Sequence, residues 1–170
     1  MTSNDTQGAF LDSLERHRGI LFTIANAYCR DADARADLIQ ETIAQLWRAF
    51  ARFDGRSAFS TWMYRIAVNV AISFYRRERR RTQPLTALEG AALESRAVSA
   101  DAQTDERSTI LREIIERFDS LNRALMILYL DDRPYSEIAE ILGISETNVA
   151  TKISRLKQQL KRTLSAQGQI

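Results

Sequence analysis

Cys29 and His17 are each the only residue of their kind in the chain. One thiol excludes an intramolecular disulfide. One thiol with one imidazole cannot build the Cys/His tetrahedra that hold structural zinc. Cys29 is read as a helix-packing residue, with a redox-sensitive thiol as the alternative. Six glycines and two prolines in 170 residues are too few turn formers for an all-β chain. No apolar run approaches the roughly 18 residues that a membrane-spanning helix requires, so no membrane insertion is expected. The opening MTSNDTQGAF has no basic stretch ahead of an apolar one, which points to a cytoplasmic protein. There is no Gly-rich phosphate loop, no metal-ligand cluster and no nucleophile matched to the histidine. No catalytic residue, metal, cofactor or small-molecule substrate is therefore expected, and the chain is not read as an enzyme.

Hydrophobic residues make up 45% of the chain, enough for packed cores. Leu, Ile, Ala, Arg and Glu dominate, which favours an all-α fold. The formal net charge is only +2, but the basic residues are clustered in Arg76–Arg81 and Lys152–Arg162. Clustered base on a nearly neutral chain suits local contact with a polyanion.

Apolar periodicity divides the chain into two small helical domains, 1–81 and 106–170, joined by an acidic linker over 82–105. In the first domain a helix is expected over residues 8–29, with apolar positions at Phe10, Leu14, Leu21, Ile24, Ala25 and Tyr28. A second runs from Asp33 to Phe50 with Ile39, Ile43, Leu46 and Phe50 inward. A third runs from Ala58 to Arg80, capped by Ser57, with Phe59, Met63, Ile66, Val70 and Phe74 inward. The linker holds Glu89, Glu94, Asp101 and Asp105 against Arg96, with a short helix possible at 88–93. In the second domain Ile110, Ile114, Ile115 and Phe118 mark one helix, and Leu121, Leu125 and Leu128 another. Asp131–Pro134 is a turn, with Pro134 at a first helical position.

Tyr135–Ile153 has the layout of a helix-turn-helix. Ile138, Ala139 and Leu142 are spaced to pack inward. Gly143 suits the tight turn, and Ser145 caps a last helix running to about Leu164. Val149, Ile153, Leu156 and Leu160 form the buried stripe of that helix. At about 100° per residue, Thr147, Thr151, Ser154, Arg155, Gln158 and Arg162 lie opposite, flanked by Lys152, Lys157 and Lys161. Such a face offers hydroxyl, amide and guanidinium groups to bases and phosphates, or serves as the solvated side of a packing helix.

Asp37-Leu38-Ile39-Gln40-Glu41-Thr42-Ile43-Ala44-Gln45-Leu46-Trp47 resembles the segment of sigma factors that docks on the clamp of RNA polymerase. Phe59-Ser60-Thr61-Trp62-Met63-Tyr64-Arg65-Ile66-Ala67-Val68-Asn69-Val70-Ala71 resembles their helix that reads and melts the −10 element. The order of these blocks, the basic run, the variable linker and the terminal helix-turn-helix together resemble the extracytoplasmic-function sigma factors of the sigma-70 family over nearly the whole chain. Three places depart from the usual pattern. Arg35-Ala36 precedes the Asp-Leu pair without an acid. Ser73 stands where Asp is frequent. Val149-Ala150-Thr151-Lys152-Ile153 replaces Val-Lys-Ser-Arg-Leu.

The resemblance implies a polymerase subunit without catalytic chemistry of its own, with core RNA polymerase, promoter DNA and an anti-sigma factor as partners. It places Asp37, Gln40, Glu41 and Trp47 against polymerase, with Trp47 equally readable as core. It makes Phe53, Asp54, Gly55, Arg56 and Ser57 a loop that captures a base flipped from the −10 duplex. Arg65, Asn69, Ser73, Arg76 and Arg80 line the adjoining helix, and Arg76–Arg81 is alternatively a solubilising helix end. Trp62 is read as core or as a base-stacking platform. Thr147, Asn148, Thr151, Lys152, Arg155 and Gln158 face the −35 element. The linker is either a nucleic-acid mimic or a spacer. Two rival readings are a helix-turn-helix regulator that acts without polymerase and a sigma-like module that binds an anti-sigma factor.

Overall fold

A computed structural model of the chain describes residues 3–86 and 106–166, which form α-helices with no strand among them. The helices belong to two units, 1–100 and 101–170, and the fold is all-α as the composition indicates.

The first unit contains α1 (Ser3–Arg16), α2 (Arg18–Tyr28), α3 (Ala32–Phe50) and α4 (Phe59–Thr86). The single helix expected over 8–29 is broken at His17, where φ is −117° and ψ 14°. No side chain from Leu11 to Gly19 is fully buried, and the His17 ring rests on Phe59 at 5.3 Å. His17 Nδ1 lies 2.9 Å from the Ser13 carbonyl oxygen. Asp31 caps α3, its carboxylate accepting from the Ala34 N–H at 2.9 Å. The buried stripe of α3 is Leu38, Thr42 and Leu46, one step round from the expected Ile39/Ile43/Leu46/Phe50. Thr42 can enter the core because its hydroxyl donates to the Leu38 carbonyl at 2.8 Å, which leaves its methyl to pack.

The α4 helix packs against both α2 and α3. It buries Met63, Tyr64, Ala67, Val68, Ala71 and Phe74. Phe59, Ile66 and Val70 are only half-buried. The alanines centre the buried face because a small side chain lets neighbouring helices approach. The helix begins at Phe59, and Ala58 supplies the carbonyl for the first bond, from Trp62 N–H at 3.1 Å. It continues to Thr86 instead of stopping near Arg80, so the first residues of the expected linker are helical. The rest of that linker, including the possible helix at 88–93, lies outside the described residues.

The second unit contains α5 (Glu106–Glu116), α6 (Ser120–Leu130), α7 (Tyr135–Leu142) and α8 (Glu146–Ala166). Asp119 caps α6, accepting from the N–H groups of Leu121 and Asn122 at 3.1 and 3.0 Å. Arg123 is 3% exposed, and its guanidinium donates to the Glu116 carbonyl at the end of α5. Nothing in the helical periodicity foretells a buried arginine there. Pro134 is the N-cap of α7, with ψ 152°, and not its first helical residue. Ile138 and Ile141 are the buried residues of α7, while Ala139 and Leu142 are half-buried. Gly143 is left-handed, with φ 67° and ψ 33°, and Ser145 Oγ accepts from the Asn148 N–H at 3.1 Å.

Gly143 has open space where a Cβ would stand, so Gly143→Ala carries only the conformational penalty of left-handed backbone. It should lower stability by about 1–2 kcal/mol. Gly143→Asn should cost less, because asparagine tolerates this conformation. Urea denaturation of the two variants checks the ranking.

Candidate functional site

Three exposed faces carry the polar residues singled out above, two in the first unit and one in the second. On α8, Val149 and Ile153 are fully buried and Leu156 is 5% exposed. These three fix the rotation of the helix. Thr147, Asn148, Thr151, Ser154, Arg155, Gln158 and Arg162 consequently face solvent, and Lys152 is half-buried at the flank. The Thr151 hydroxyl donates to the Thr147 carbonyl at 3.0 Å. Lys157 Nζ lies 5.4 Å from the centre of the Tyr129 ring, a cation–π contact that draws it toward α6.

On α4, Arg65, Asn69, Ser73, Arg76 and Arg80 are all exposed, and half-buried Ile72 interrupts them. Arg80 Nε donates to the Arg76 carbonyl at 3.4 Å. The Phe53–Ser57 loop leads into the start of this helix. Its shape is held by Asp54, which accepts from the Arg56 N–H at 3.1 Å and pairs with Arg56 Nε at 3.0 Å. Gly55 supplies a φ of 72°, which an L-residue with a side chain resists. At the start of the loop, Phe53 lies 4.9 Å from Trp62 and 5.7 Å from Phe59, ring centre to ring centre. Half-buried Trp62 is thus packed against Phe50, Phe59 and the first residue of the loop.

On α3, Asp37, Gln40 and Trp47 are exposed. Trp47 is 43% exposed, its inner edge resting on Phe10 at 5.1 Å. It is not a core residue. Glu41 behaves differently from its neighbours: its carboxylate accepts from Arg77 Nη2 at 2.8 Å. That hydrogen bond, reinforced by the charge of Glu41, raises the Arg77 guanidinium above its ordinary value. Arg77 belongs to the basic run Arg76–Arg81, but its bond to Glu41 was not expected. A partner 36 positions away leaves no local pattern to find it by. Among the described residues there is no cluster of metal-binding side chains and no helix long and apolar enough to cross a membrane.

The family model for sigma-70 region 2 matches residues 14–81, and a model for sigma-70 region 4 matches residues 108–160. The ECF RNA polymerase sigma-E factor of Escherichia coli (strain K12) is 30% identical over 164 residues, spanning 91% of this chain and 85% of the relative. The ECF RNA polymerase sigma factor SigW of Bacillus subtilis (strain 168) is 26% identical over 168 residues, spanning 93% and 90%. Among solved structures, the fold resembles CnrH in complex with the cytosolic domain of CnrY, with TM-score 0.67, 22% identity and coverage of 94% and 90%. It also resembles the sigma factor RpoE bound to the anti-sigma factor NepR from Bartonella quintana, with TM-score 0.66, 21% identity and coverage of 95% and 97%.

The two tryptophans differ in exposure, which fluorescence can read. In a Trp62→Phe variant, emission from Trp47 should be readily quenched by acrylamide. In Trp47→Phe, emission from Trp62 should be better protected.

Proposed function

The chain belongs to the extracytoplasmic-function RNA polymerase sigma factors, and on that footing we propose that it binds core RNA polymerase and directs it to promoters by reading −10 and −35 elements. The observation that carries this reading is the solvent-facing polar side of α8, its rotation set by Val149, Ile153 and Leu156 behind the Gly143 turn. A helix so presented fits the major groove. The separate basic stripe on α4 supplies a second nucleic-acid face in the other unit.

The residue roles follow from the chemistry of each face. Asp37, Gln40, Glu41 and Trp47 form the polymerase contact, a polar surface with one exposed aromatic at its edge. Phe53, Asp54, Gly55, Arg56 and Ser57 enclose a flipped base of the −10 element, with Trp62 packed against the first of them. Unpairing a base costs a few kcal/mol, which contacts within the loop must offset. Arg65, Arg76 and Arg80 hold phosphates of the same strand, while Asn69 and Ser73 add hydrogen bonds. Thr147, Asn148, Thr151, Lys152, Arg155 and Gln158 meet the −35 element.

Domains 1–81 and 106–170, joined through 82–105, act as tethered modules. Each raises the effective concentration of the other at its own element. The chain has no active site of its own: polymerase supplies the chemistry, and the cytoplasm is where the two meet. An anti-sigma factor is a fitting regulatory partner, since the related RpoE was crystallised with one.

Run-off transcription with core polymerase on a promoter library tests the function. Transcripts should require both the chain and the core enzyme. Tight DNA binding without polymerase, and no transcripts with it, would favour a stand-alone regulator. At residue level, Asp37→Ala with Gln40→Ala should weaken core binding while leaving the thermal melt unchanged, as expected for exposed side chains.

Recognition of the −35 element separates into two signatures. Arg155→Ala should relax preference at one base position and cost about 1–3 kcal/mol there. Lys161→Ala should weaken all sequences alike and reduce the salt slope by about one unit. Binding of the holoenzyme to a library randomised at the −35 element, at two salt concentrations, distinguishes them.

A further inference from the structure

Arg77 lies at the edge of the basic stripe on α4. At about 100° per residue it projects between the Arg76/Arg80 side of the helix and the buried Phe74. Its Cζ sits 5.3 Å from the centre of the Phe74 ring, so the guanidinium itself rests at the margin of the core. Its guanidinium crosses to α3 and bonds Glu41 at 2.8 Å. The one acid within the Arg76–Arg81 run, Glu78, pairs inside its own helix with Arg81 at 3.6 Å. Arg77 is therefore the member of that run which, among the described residues, is held by an acid of another helix.

The pair is accessible from outside. The Arg77 side chain is 55% exposed and that of Glu41 35%. An ion pair in contact with water is weakly held, because each partner regains hydration when it separates. While it is formed, Glu41 cancels a positive charge at the border of the stripe. Once it opens, the guanidinium is free to swing along the stripe. There its planar fork suits a phosphodiester group, which accepts two parallel hydrogen bonds.

We propose that Arg77 is a further DNA-backbone-binding residue of the α4 face, latched to α3 by Glu41 until another cation takes that carboxylate. The proposal rests on the assignment of α4 to the −10 strand and of α3 to polymerase. Glu41 then has two successive partners. In the free chain it neutralises Arg77. When a basic group of polymerase occupies Glu41, Arg77 joins Arg76 and Arg80 on the strand. The same carboxylate thereby ties polymerase docking to the charge presented to DNA.

The test uses the full chain without polymerase and a fluorescein-labelled thymidine oligonucleotide, titrated at two salt concentrations. Four proteins are compared: the parent, Glu41→Gln, Arg77→Gln and the double variant. Opening the latch with Glu41→Gln should tighten binding roughly two- to fivefold, the range an exposed pair carries. It should also steepen the salt slope by about 0.7, the increment for one added phosphate contact on a single strand. In the Arg77→Gln background the same Glu41→Gln change should give no gain. An equal gain in that background would show that only one negative charge had been lost, and would overturn the latch. No gain in either background would overturn it as well. Should Arg77→Gln lose helix content by circular dichroism, Arg77→Met takes its place, since it removes the charge and keeps an unbranched apolar side chain of good helix propensity. The polymerase assignment is judged separately, from the core affinity of the Asp37→Ala/Gln40→Ala variant. If that affinity is unchanged, the α3 assignment falls, while the oligonucleotide cycle still decides the latch.

Discussion

The rotation of each helix about its own axis is set by the side chains it buries, and what the molecule presents to a partner follows from those rotations. In α8, Val149, Ile153 and Leu156 point into the second unit, and the polar residues between them have no direction left but outward. In α4, Ala67 and Ala71 are fully buried, and their small size brings the backbone close to its neighbours. That seats the helix with Arg65, Asn69, Ser73, Arg76 and Arg80 on its far side. A bulky residue in place of either alanine would disturb the arginines without touching them. In α3 the Leu38–Thr42–Leu46 stripe does the same for Asp37 and Gln40. The bearing of each polar face is fixed by the apolar residues behind it.

Much of this was readable from residue order. The helix-turn-helix is local: Gly143 meets a demand for left-handed backbone, and Ser145 meets a demand for a cap. Both demands are expressed within a few residues. What the sequence concealed is what depends on a third dimension. Thr42 looks polar in a pattern, but its hydroxyl is satisfied within its own turn, so it enters the core and shifts the stripe. The break at His17 falls in a stretch, Leu11 to Gly19, with no fully buried side chain, which periodicity alone does not register. The end of α4 was placed too early, because a basic run was read as a helix end although arginine is a good helix former. The exposed faces on α3, α4 and α8 were anticipated, whereas the bond from Glu41 to Arg77 joins elements that sequence spacing keeps far apart.

Charge in this molecule is organised by element and not by total. A net charge of +2 gives little general attraction for nucleic acid, yet α4 and α8 each concentrate base on one exposed side. Weak overall attraction combined with strong local attraction suits a protein that must leave random DNA quickly. Two modest faces on one chain can act together where both of their elements occur, and either alone remains easily released.

The bond within the α8 face, from the Thr151 hydroxyl to the Thr147 carbonyl, has a chemical corollary. A hydroxyl carries one proton and two lone pairs, and here the proton is directed back into the helix. While that bond holds, Thr151 offers an approaching surface its lone pairs and not its proton. In a major groove it can receive the amino group of adenine N6 or cytosine N4. Guanine O6 and thymine O4, which are themselves acceptors, would set lone pair against lone pair. While the bond to Thr147 holds, its own backbone gives a residue able to donate or accept a single polarity toward whatever approaches.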